Sequence, residues 1–246
     1  MDFDVAIIGG GSAGYAAASS AQSLGAKVAI IDPGPLGGLC ILKGCMPTKA
    51  ILRSSDIMAL MRRAKEFGIQ PVDAQAHLSA INDRKNKLIK EFADYRIEQL
   101  NSPRFTLIEE RAQFISPHEI QIGNKLLKAR SFIIATGSVI ANYSVPGLKE
   151  TGFVTSDDIL KMREAPDSII VLGAGAVAVE LAQFLLRIGV KVTLLQRSEH
   201  ILSKGDEDLA KPVESRFREE GMDLYTGTKI LRAKKKPEGS VIYFEH

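Results

Sequence analysis

Cysteine and histidine are scarce in this chain of 246 residues, which contains 2 Cys and 4 His. A structural zinc site usually takes four Cys or His ligands. The histidines lack the short spacing of metal ligands; they are His77, His118, His200 and His246. The composition therefore predicts that the chain has no metal site and no framework of several disulfides.

Long apolar runs and long runs of one charge are also missing. The longest apolar run, at residues 169–179, contains two glycines and is too short to cross a membrane. The net charge of +3 is mild, and the lysines at 234–236 are interpreted as a solvated turn. We therefore expect neither a membrane nor a nucleic acid as a partner. Residues 1–4 lack a basic region and an apolar core, so we expect a cytoplasmic protein.

The two cysteines, Cys40 and Cys45, lie close together and directly before a predicted helix. In a regular helix, the Cα atoms of two residues five positions apart lie roughly 8.6 Å from each other, whereas a disulfide tolerates a Cα–Cα distance of roughly 4.4 to 6.8 Å. A bridge therefore needs a distorted backbone, for which Gly44 supplies the freedom. Pro47 is typical of a first helical turn, which places Cys45 at the helix N-terminus, where the dipole stabilises a thiolate. The spacing predicts redox chemistry; two ordinary buried thiols are the alternative.

The N-terminal region has the order strand, glycine turn, helix. The apolar residues 5–8 predict a strand, and the run Gly9-Gly10-Gly11-Ser12-Ala13-Gly14 leads into a helical pattern. In a dinucleotide-binding unit, Gly9 permits the tight turn, Gly11 lets a pyrophosphate approach the backbone, and Gly14 lets helix and strand pack closely. Asp32 ends the next predicted strand, where a carboxylate would bind ribose hydroxyls. A glycine-rich turn without a ligand is the alternative.

The same order occurs again in the second half of the chain. A predicted strand at 168–172 runs into Gly173 and Gly175, and a second strand is predicted at 190–195. The two units indicate one site for a flavin dinucleotide and one for a nicotinamide dinucleotide. Ala178 stands in place of the third glycine. The second unit could therefore be a degenerate fold without a ligand.

Taken in order, these segments resemble the FAD-dependent pyridine nucleotide-disulfide oxidoreductases, the family of dihydrolipoamide dehydrogenase, glutathione reductase and mercuric reductase. The motifs that carry the resemblance are the first glycine motif, Gly37–Lys49, Ile133–Ser138, Thr155–Asp158 and the second glycine motif ending at Glu180. The resemblance implies an α/β fold with two Rossmann-like, three-layer domains built on parallel sheets. Residues 1–148 would bind FAD, and residues 151–246 would form an incomplete NAD(P)-binding domain, because the family's chains normally run further.

The resemblance also implies roles for matching positions. Cys40 would be the outer thiol that exchanges with a disulfide substrate, and Cys45 the inner thiol in charge-transfer contact with the flavin. Lys49 and Glu180 would form an ion pair beside the flavin ring. Flavin contacts are implied for the first glycine motif and for Gly38, Ala112, Thr136 and Gly137.

The expected activity is electron transfer between NAD(P)H and a small or protein-bound disulfide, through FAD and the thiol pair. The family's full-length chains are expected to be homodimers. No histidine matches the family's acid–base His-Glu pair, so no catalytic base is assigned. A thiol-independent quinone reductase, transhydrogenase or oxidase, and a non-catalytic flavin-binding module, are the alternatives.

Arg197 bears on the choice of nicotinamide cofactor. It follows Gln196 at the end of the second strand of the second unit, where NAD sites commonly place a carboxylate. A guanidinium can pair with a 2′-phosphate through charge-assisted hydrogen bonds. We therefore favour NADPH over NADH; the alternative is that Arg197 points to solvent and NADH is used.

Overall fold

The computed structural model describes residues 1–141 and 143–246. Its helices are α1 (Ser12–Ser23), α2 (Gly38–Leu42), α3 (Cys45–Arg62), α4 (Leu78–Leu100), α5 (Ser156–Ile159), α6 (Ala176–Arg187) and α7 (Glu207–Glu219). Its strands are β1 (Phe3–Ile8), β2 (Val28–Ile31), β3 (Thr106–Ile108), β4 (Ala112–Ser116), β5 (Glu119–Ile122), β6 (Lys125–Ile134), β7 (Ser168–Leu172), β8 (Lys191–Leu195), β9 (Asp223–Tyr225), β10 (Lys229–Lys236) and β11 (Gly239–Glu245). Short 3-10 turns occupy Ala64–Phe67 and Lys149–Thr151.

The elements form two compact units. The first unit comprises Met1–Pro47 and Asn86–Val139, and the second comprises Thr48–Lys85 and Ile140–His246. Residues 48–85 belong to the second unit because apolar side chains of this segment, such as Ile51, pack in one buried cluster with Phe184 of α6. The predicted domain limits, 1–148 and 151–246, remain a prediction.

The first unit is built on a sheet with the strand order β3-β2-β1-β6-β5-β4. The strands β3, β2, β1 and the second half of β6 are parallel, whereas β4 and β5 form an antiparallel meander with the first half of β6. The carboxyl ends of β1 and β6 lie side by side, with Ile8 paired to Ile134. The residues that follow these two strands therefore meet at one edge of the sheet.

Both faces of this sheet are covered, which explains why every residue of β2 is buried. Successive side chains of a strand point to opposite faces. On one face, Ile7 and Ile30 pack with Ala18 of α1. On the other face, Ala6 and Ala29 pack with residues of the meander. The predicted α/β fold class is confirmed, with the meander as one covering layer in this unit.

The second unit contains the parallel sheet β7-β8-β9 and a separate antiparallel ribbon, β10-β11. Helix α6 has an apolar face of Val179, Leu181, Ala182, Phe184 and Leu185, all of which are buried in the main cluster of this unit. The expected turn between strands lies at 237–238, but the lysines at 234–236 belong to β10, so their assignment to the turn was wrong. A two-stranded ribbon leaves long charged side chains in solvent, so a strand tolerates them.

Among the described residues, no helix is both long enough and apolar enough to cross a bilayer.

Candidate functional site

The glycine turn of the first unit is fixed by close backbone contacts. Gly9 has a φ of +109°, and a Cβ on it would lie 2.3 Å from the carbonyl oxygen of Ala135. A Cβ on Gly14 would lie 1.8 Å from the carbonyl oxygen of Gly9. Side chains are therefore excluded at both positions, as the predicted tight turn and close helix packing require.

The cysteine-bearing segment begins directly on this turn. A Cβ on Gly38 would lie 2.4 Å from the Cα of Gly11, so the two backbones touch. Gly38 has a φ of +76°, which also favours glycine. Cys40 lies two residues further on, in α2. The first unit thus brings the glycine turn and the segment that carries Cys40 together.

Asp32 holds the turn in shape. Its Oδ2 accepts a hydrogen bond from the backbone N–H of Gly10 at 2.6 Å, and its Oδ1 accepts one from Gly34 at 2.8 Å. A carboxylate oxygen can accept more than one hydrogen bond. These bonds therefore leave acceptor capacity for ribose hydroxyls, and that predicted role of Asp32 remains a prediction.

The N-terminus of α1 is suited to an anion. Gly11 is the N-cap residue, no side chain caps the helix, and the first turn, which contains Ser12 and Ala13, has no acidic residue. Helix α7, in contrast, has Glu207 and Asp208 in its first turn. Amide groups of a first helical turn lack partners within the helix and attract phosphate groups. The first unit therefore fits the diphosphate of a dinucleotide.

Thr136 and Gly137 lie at the same edge of the sheet as the glycine turn. The N–H of Ala135 donates to the carbonyl oxygen of Ile8 at 2.8 Å, which ties the end of β6 to the end of β1. Gly137 has a φ of +74°, and a Cβ on it would meet nothing within 4 Å. Ala112 begins β4, and its side chain packs against the buried cluster of the meander.

The helix is interrupted between the cysteines. Helix α2 ends at Leu42 and α3 begins at Cys45. A Cβ on Gly44 would lie 3.0 Å from the carbonyl oxygen of Leu39 and 3.1 Å from the Cα of Cys40, so the connection folds back closely on α2. Cys40 is a half-buried free thiol, and Cys45 is exposed. The local backbone thus has the break that a Cys40–Cys45 bridge requires.

The second unit has a glycine turn of the same design. Gly173 follows β7 with a φ of +95°, and Gly175 is the N-cap of α6, which has no side-chain cap and no acidic residue in its first turn. A Cβ on Gly175 would meet nothing within 4 Å, which leaves room for a ligand. Ala178 lies in the first turn of α6 and is half-buried. This turn therefore accommodates the methyl group that replaces the third glycine.

Gln196 has a role that the sequence analysis missed. Its side chain is buried, and its Oε1 accepts a hydrogen bond from the N–H of Ala174 at 3.1 Å. Its Nε2 donates to the carbonyl oxygen of His200 at 3.4 Å. Gln196 thus ties the glycine turn to the loop after β8, as Asp32 ties the first turn. The sequence contained a signal for this role, because Gln196 follows Ala174 by 22 residues, as Asp32 follows Gly10. Arg197, the next residue, is exposed.

Lys49 and Glu180 form an ion pair within the second unit. The Nζ of Lys49, on α3, donates to Oε1 of Glu180, on α6. The side chains are 58% and 33% exposed, so the pair is open to solvent and to ligands. No metal-binding group of three or more His, Cys, Asp or Glu occurs in the part of the chain that the structure describes.

The comparisons with known proteins point to the same family as the sequence motifs. A family model for pyridine nucleotide-disulphide oxidoreductases matches residues 3–245. A mercuric reductase of Staphylococcus aureus is 33% identical over 245 residues, which cover 99% of this chain and 45% of that protein. A dihydrolipoyl dehydrogenase of Bacillus subtilis (strain 168) is also 33% identical over 245 residues, covering 94% of this chain and 51% of that protein.

A similar solved structure is that of the HOCl-induced flavoprotein disulfide reductase RclA from Escherichia coli. It has a TM-score of 0.82 and 26% sequence identity, and the match covers 99% of this chain and 53% of that chain. The chain thus spans about half the length of the curated relatives it matches.

Proposed function

Because the chain belongs to the pyridine nucleotide-disulphide oxidoreductase family, whose members use FAD and NAD(P)H, we propose that it transfers electrons between NAD(P)H and a disulfide. The observation that carries the proposal is the backbone contact between Gly11 and Gly38. It joins a turn suited to a diphosphate with the segment of the redox-active thiols. When bound, FAD supplies two-electron transfer between a nicotinamide and a thiol pair.

In this proposal FAD occupies the first glycine turn. The first-turn amides of α1 receive the diphosphate, and the free acceptor capacity of Asp32 receives ribose hydroxyls. The same turn is bordered by Gly38, which touches the backbone of Gly11, and by Thr136 and Gly137, which are exposed. The role of Ala112 remains an expectation from the family resemblance.

The thiols carry out the exchange with the substrate. The thiolate of Cys40 attacks one sulfur of the substrate disulfide, and the first substrate thiol leaves. The thiolate of Cys45 then attacks Sγ of Cys40, the second substrate thiol leaves, and a Cys40–Cys45 disulfide remains. Two electrons pass from the dithiol to the substrate, and each leaving thiolate takes up a proton. NAD(P)H would supply, through bound FAD, the two electrons that reduce this disulfide to the dithiol again.

The nicotinamide dinucleotide binds the second glycine turn in this proposal. Gly173 and Gly175 form the turn, Ala178 lines the first turn of α6, and Arg197 lies exposed after β8. Lys49 and Glu180 act as a charged pair beside the flavin ring. The positive Lys49 would stabilise negative charge there, and Glu180 would fix the direction of its ammonium group.

Spectroscopy of thiol variants tests the proposal. With FAD bound, mild two-electron reduction should give a long-wavelength absorption band from the thiolate of Cys45 against the oxidised flavin. Cys45→Ser should abolish the band. Cys40→Ser should make it permanent, because Cys45 then has no neighbour with which to form a disulfide. Identical spectra for the two variants would contradict the assigned roles.

A further inference from the structure

A second ion pair joins the helices that carry Lys49 and Glu180. Nη1 of Arg187, the last residue of α6, donates to Oδ1 of Asp56, on α3, at 2.6 Å. The residues of both pairs are separated by 131 positions in the chain. Asp56 follows Lys49 by seven residues on α3, and Arg187 follows Glu180 by seven residues on α6. The two helices therefore run in the same direction. The pairs lie about 10 Å apart along the helices, at a rise of about 1.5 Å per residue.

The second pair is part of a larger and less exposed network. Nε and Nη2 of Arg187 donate to the two carboxylate oxygens of Glu220, at 2.9 and 2.8 Å. Arg216 donates to the same carboxylate at 2.8 Å. The side chains of Arg187 and Glu220 are only 15% and 11% exposed. Bidentate, charge-assisted bonds of this kind restrict geometry as well as adding energy.

The charges of the network support each other. Burial alone would raise the pKa of Glu220, but the hydrogen bonds from Arg187 and Arg216 outweigh it, so the pKa is lowered. Hydrogen bonding to Glu220 raises the pKa of Arg187. Both groups therefore keep their charge across the physiological range. Asp56 receives one of the remaining donors of Arg187 and links α3 to this charged network.

The Lys49–Glu180 ion pair is too weak to fix the relative position of α3 and α6. Exposed ion pairs between long side chains contribute little free energy and lose side-chain entropy when they form. A shift of α6 by one residue would move Glu180 by about 1.5 Å along the helix and about 100° around it, away from Lys49. The relative register of the two helices therefore decides whether the pair forms.

We propose that Asp56 and Arg187 are positioning residues that fix the register of α3 and α6 and thereby hold Glu180 against Lys49. This inference rests on the proposed function only where it places the Lys49–Glu180 pair beside the flavin ring. The Asp56–Arg187 contact acts on the Lys49–Glu180 pair from about two helical turns away. Substituting Arg187 would also remove two of the hydrogen bonds that the poorly exposed carboxylate of Glu220 accepts, so Asp56 is the residue to alter.

The test measures the coupling between Lys49 and Glu180 in the chain without cofactor. Urea unfolding of Lys49→Met, Glu180→Gln and the double variant gives this coupling by a double-mutant cycle. We expect about a twofold to fivefold effect on the unfolding equilibrium constant, the usual range for an exposed pair. The same cycle in an Asp56→Asn background should show no coupling, and Asp56→Glu, which keeps the carboxylate, should restore it.

Asp83→Asn is the matched control. Asp83 is also an exposed helical aspartate of the second unit, and it is paired with Arg163. Its substitution should leave the Lys49–Glu180 coupling unchanged. Full coupling in Asp56→Asn would show that apolar packing alone sets the register and would overturn the proposal. Absence of coupling in the unsubstituted chain would overturn it as well, because no pair would then be held.

A second measurement separates this proposal from the proposed function. With FAD bound, Lys49→Met should lower the flavin midpoint potential, and Asp56→Asn should lower it by a smaller amount. If Asp56→Asn abolishes the coupling but neither variant changes the potential, the positioning role stands and the place of the pair beside the flavin is refuted. If both variants lower the potential while the coupling persists in Asp56→Asn, the positioning role is refuted.

Discussion

At the scale of single residues, the glycines of the first turn are constrained by the chain itself. Gly14 lies in α1, where a Cβ would overlap the carbonyl oxygen of Gly9, and the obstructing atom belongs to the backbone. Neither neighbour can move without opening the contact between helix and strand. The requirement for glycine here therefore exists before any ligand binds.

Gly14→Ala should consequently destabilise the protein even without a cofactor. We expect a loss of about 1 to 3 kcal/mol in the free energy of unfolding, the usual cost of an overpacked site. Gly205→Ala is the control, because a Cβ on Gly205 would make only an ordinary contact at 3.6 Å; it should change stability by less than about 0.5 kcal/mol. Urea unfolding of both variants measures the difference. Equal midpoints would show that the turn yields more easily than its backbone contacts indicate.

Under the proposed function, we expect the choice between NADPH and NADH to depend on Arg197. Gln196 is buried and bonded to Ala174, so it is not available to a ribose or a phosphate. The exposed guanidinium of Arg197 is the next charge in the chain. Pairing with a phosphate at this position would favour NADPH.

Arg197→Ala should therefore reduce the preference for NADPH over NADH by about tenfold, near the lower end of the range for hydrogen bonds to charged groups. Rates of flavin reduction by each cofactor give the ratio. Lys191→Ala is a suitable control because Lys191 is an exposed cation at the opposite end of β8. An unchanged ratio in Arg197→Ala would mean that Arg197 does not recognise the phosphate.

At the scale of elements, the sequence predicted the strand, turn and helix segments well, but it predicted the contacts between distant elements poorly. The strand, glycine turn and helix at Gly9 and at Gly173 follow from apolar periodicity and glycine spacing, which are local signals. Asp32 and Gln196 each bond a glycine turn 22 residues earlier in the chain; this repeated spacing could have been recognised in the sequence but was overlooked. The Asp56–Arg187 pair was not readable, because a register between helices 131 residues apart leaves no local pattern.

Helix α4 shows a tertiary contact of this unpredictable kind. Lys85 is buried, and its Nζ donates to the carbonyl oxygen of Leu160, just after α5. Burial lowers the pKa of Lys85 below its usual 10.5, and the charges of Arg163 and Lys161 lower it further. The folded state thus disfavours the charged amine, which the unfolded state retains up to its ordinary pKa.

The sign of the pH dependence follows. Between the lowered pKa and 10.5, the unfolded state binds more protons at Lys85 than the folded state, so stability from this group rises with pH. Below the lowered pKa the full cost of burying the charge is present. Urea unfolding of the unsubstituted chain and Lys85→Met across this window should show a difference that shifts in favour of the unsubstituted chain as pH increases. Lys87→Met, an exposed position on the same helix, should show no such change.

At the scale of the whole molecule, the chain contains two nucleotide-type turns and the thiol pair. It spans about half the length of the curated relatives it matches. The family resemblance assigns no acid–base role in thiol exchange to His77, His118, His200 or His246. Electron entry and disulfide exchange should therefore differ in efficiency when this 246-residue polypeptide is assayed alone.

The purified polypeptide with FAD should reduce an artificial quinone-type dye from NAD(P)H much faster than it reduces a disulfide. Under the proposed function, dye reduction does not involve the thiols, whereas disulfide exchange must protonate a leaving thiolate. If none of the 246 residues acts as the general acid, we expect disulfide turnover about 10² to 10⁴-fold below that of an enzyme with such a group. Steady-state rates with both acceptors measure the ratio. Cys40→Ser/Cys45→Ser should leave dye reduction intact and abolish the residual disulfide activity. Disulfide turnover near about 10 per second, a typical enzyme rate, would show that another group of this chain supplies the proton. Equal disulfide rates with and without the thiols would favour the thiol-independent reductase instead.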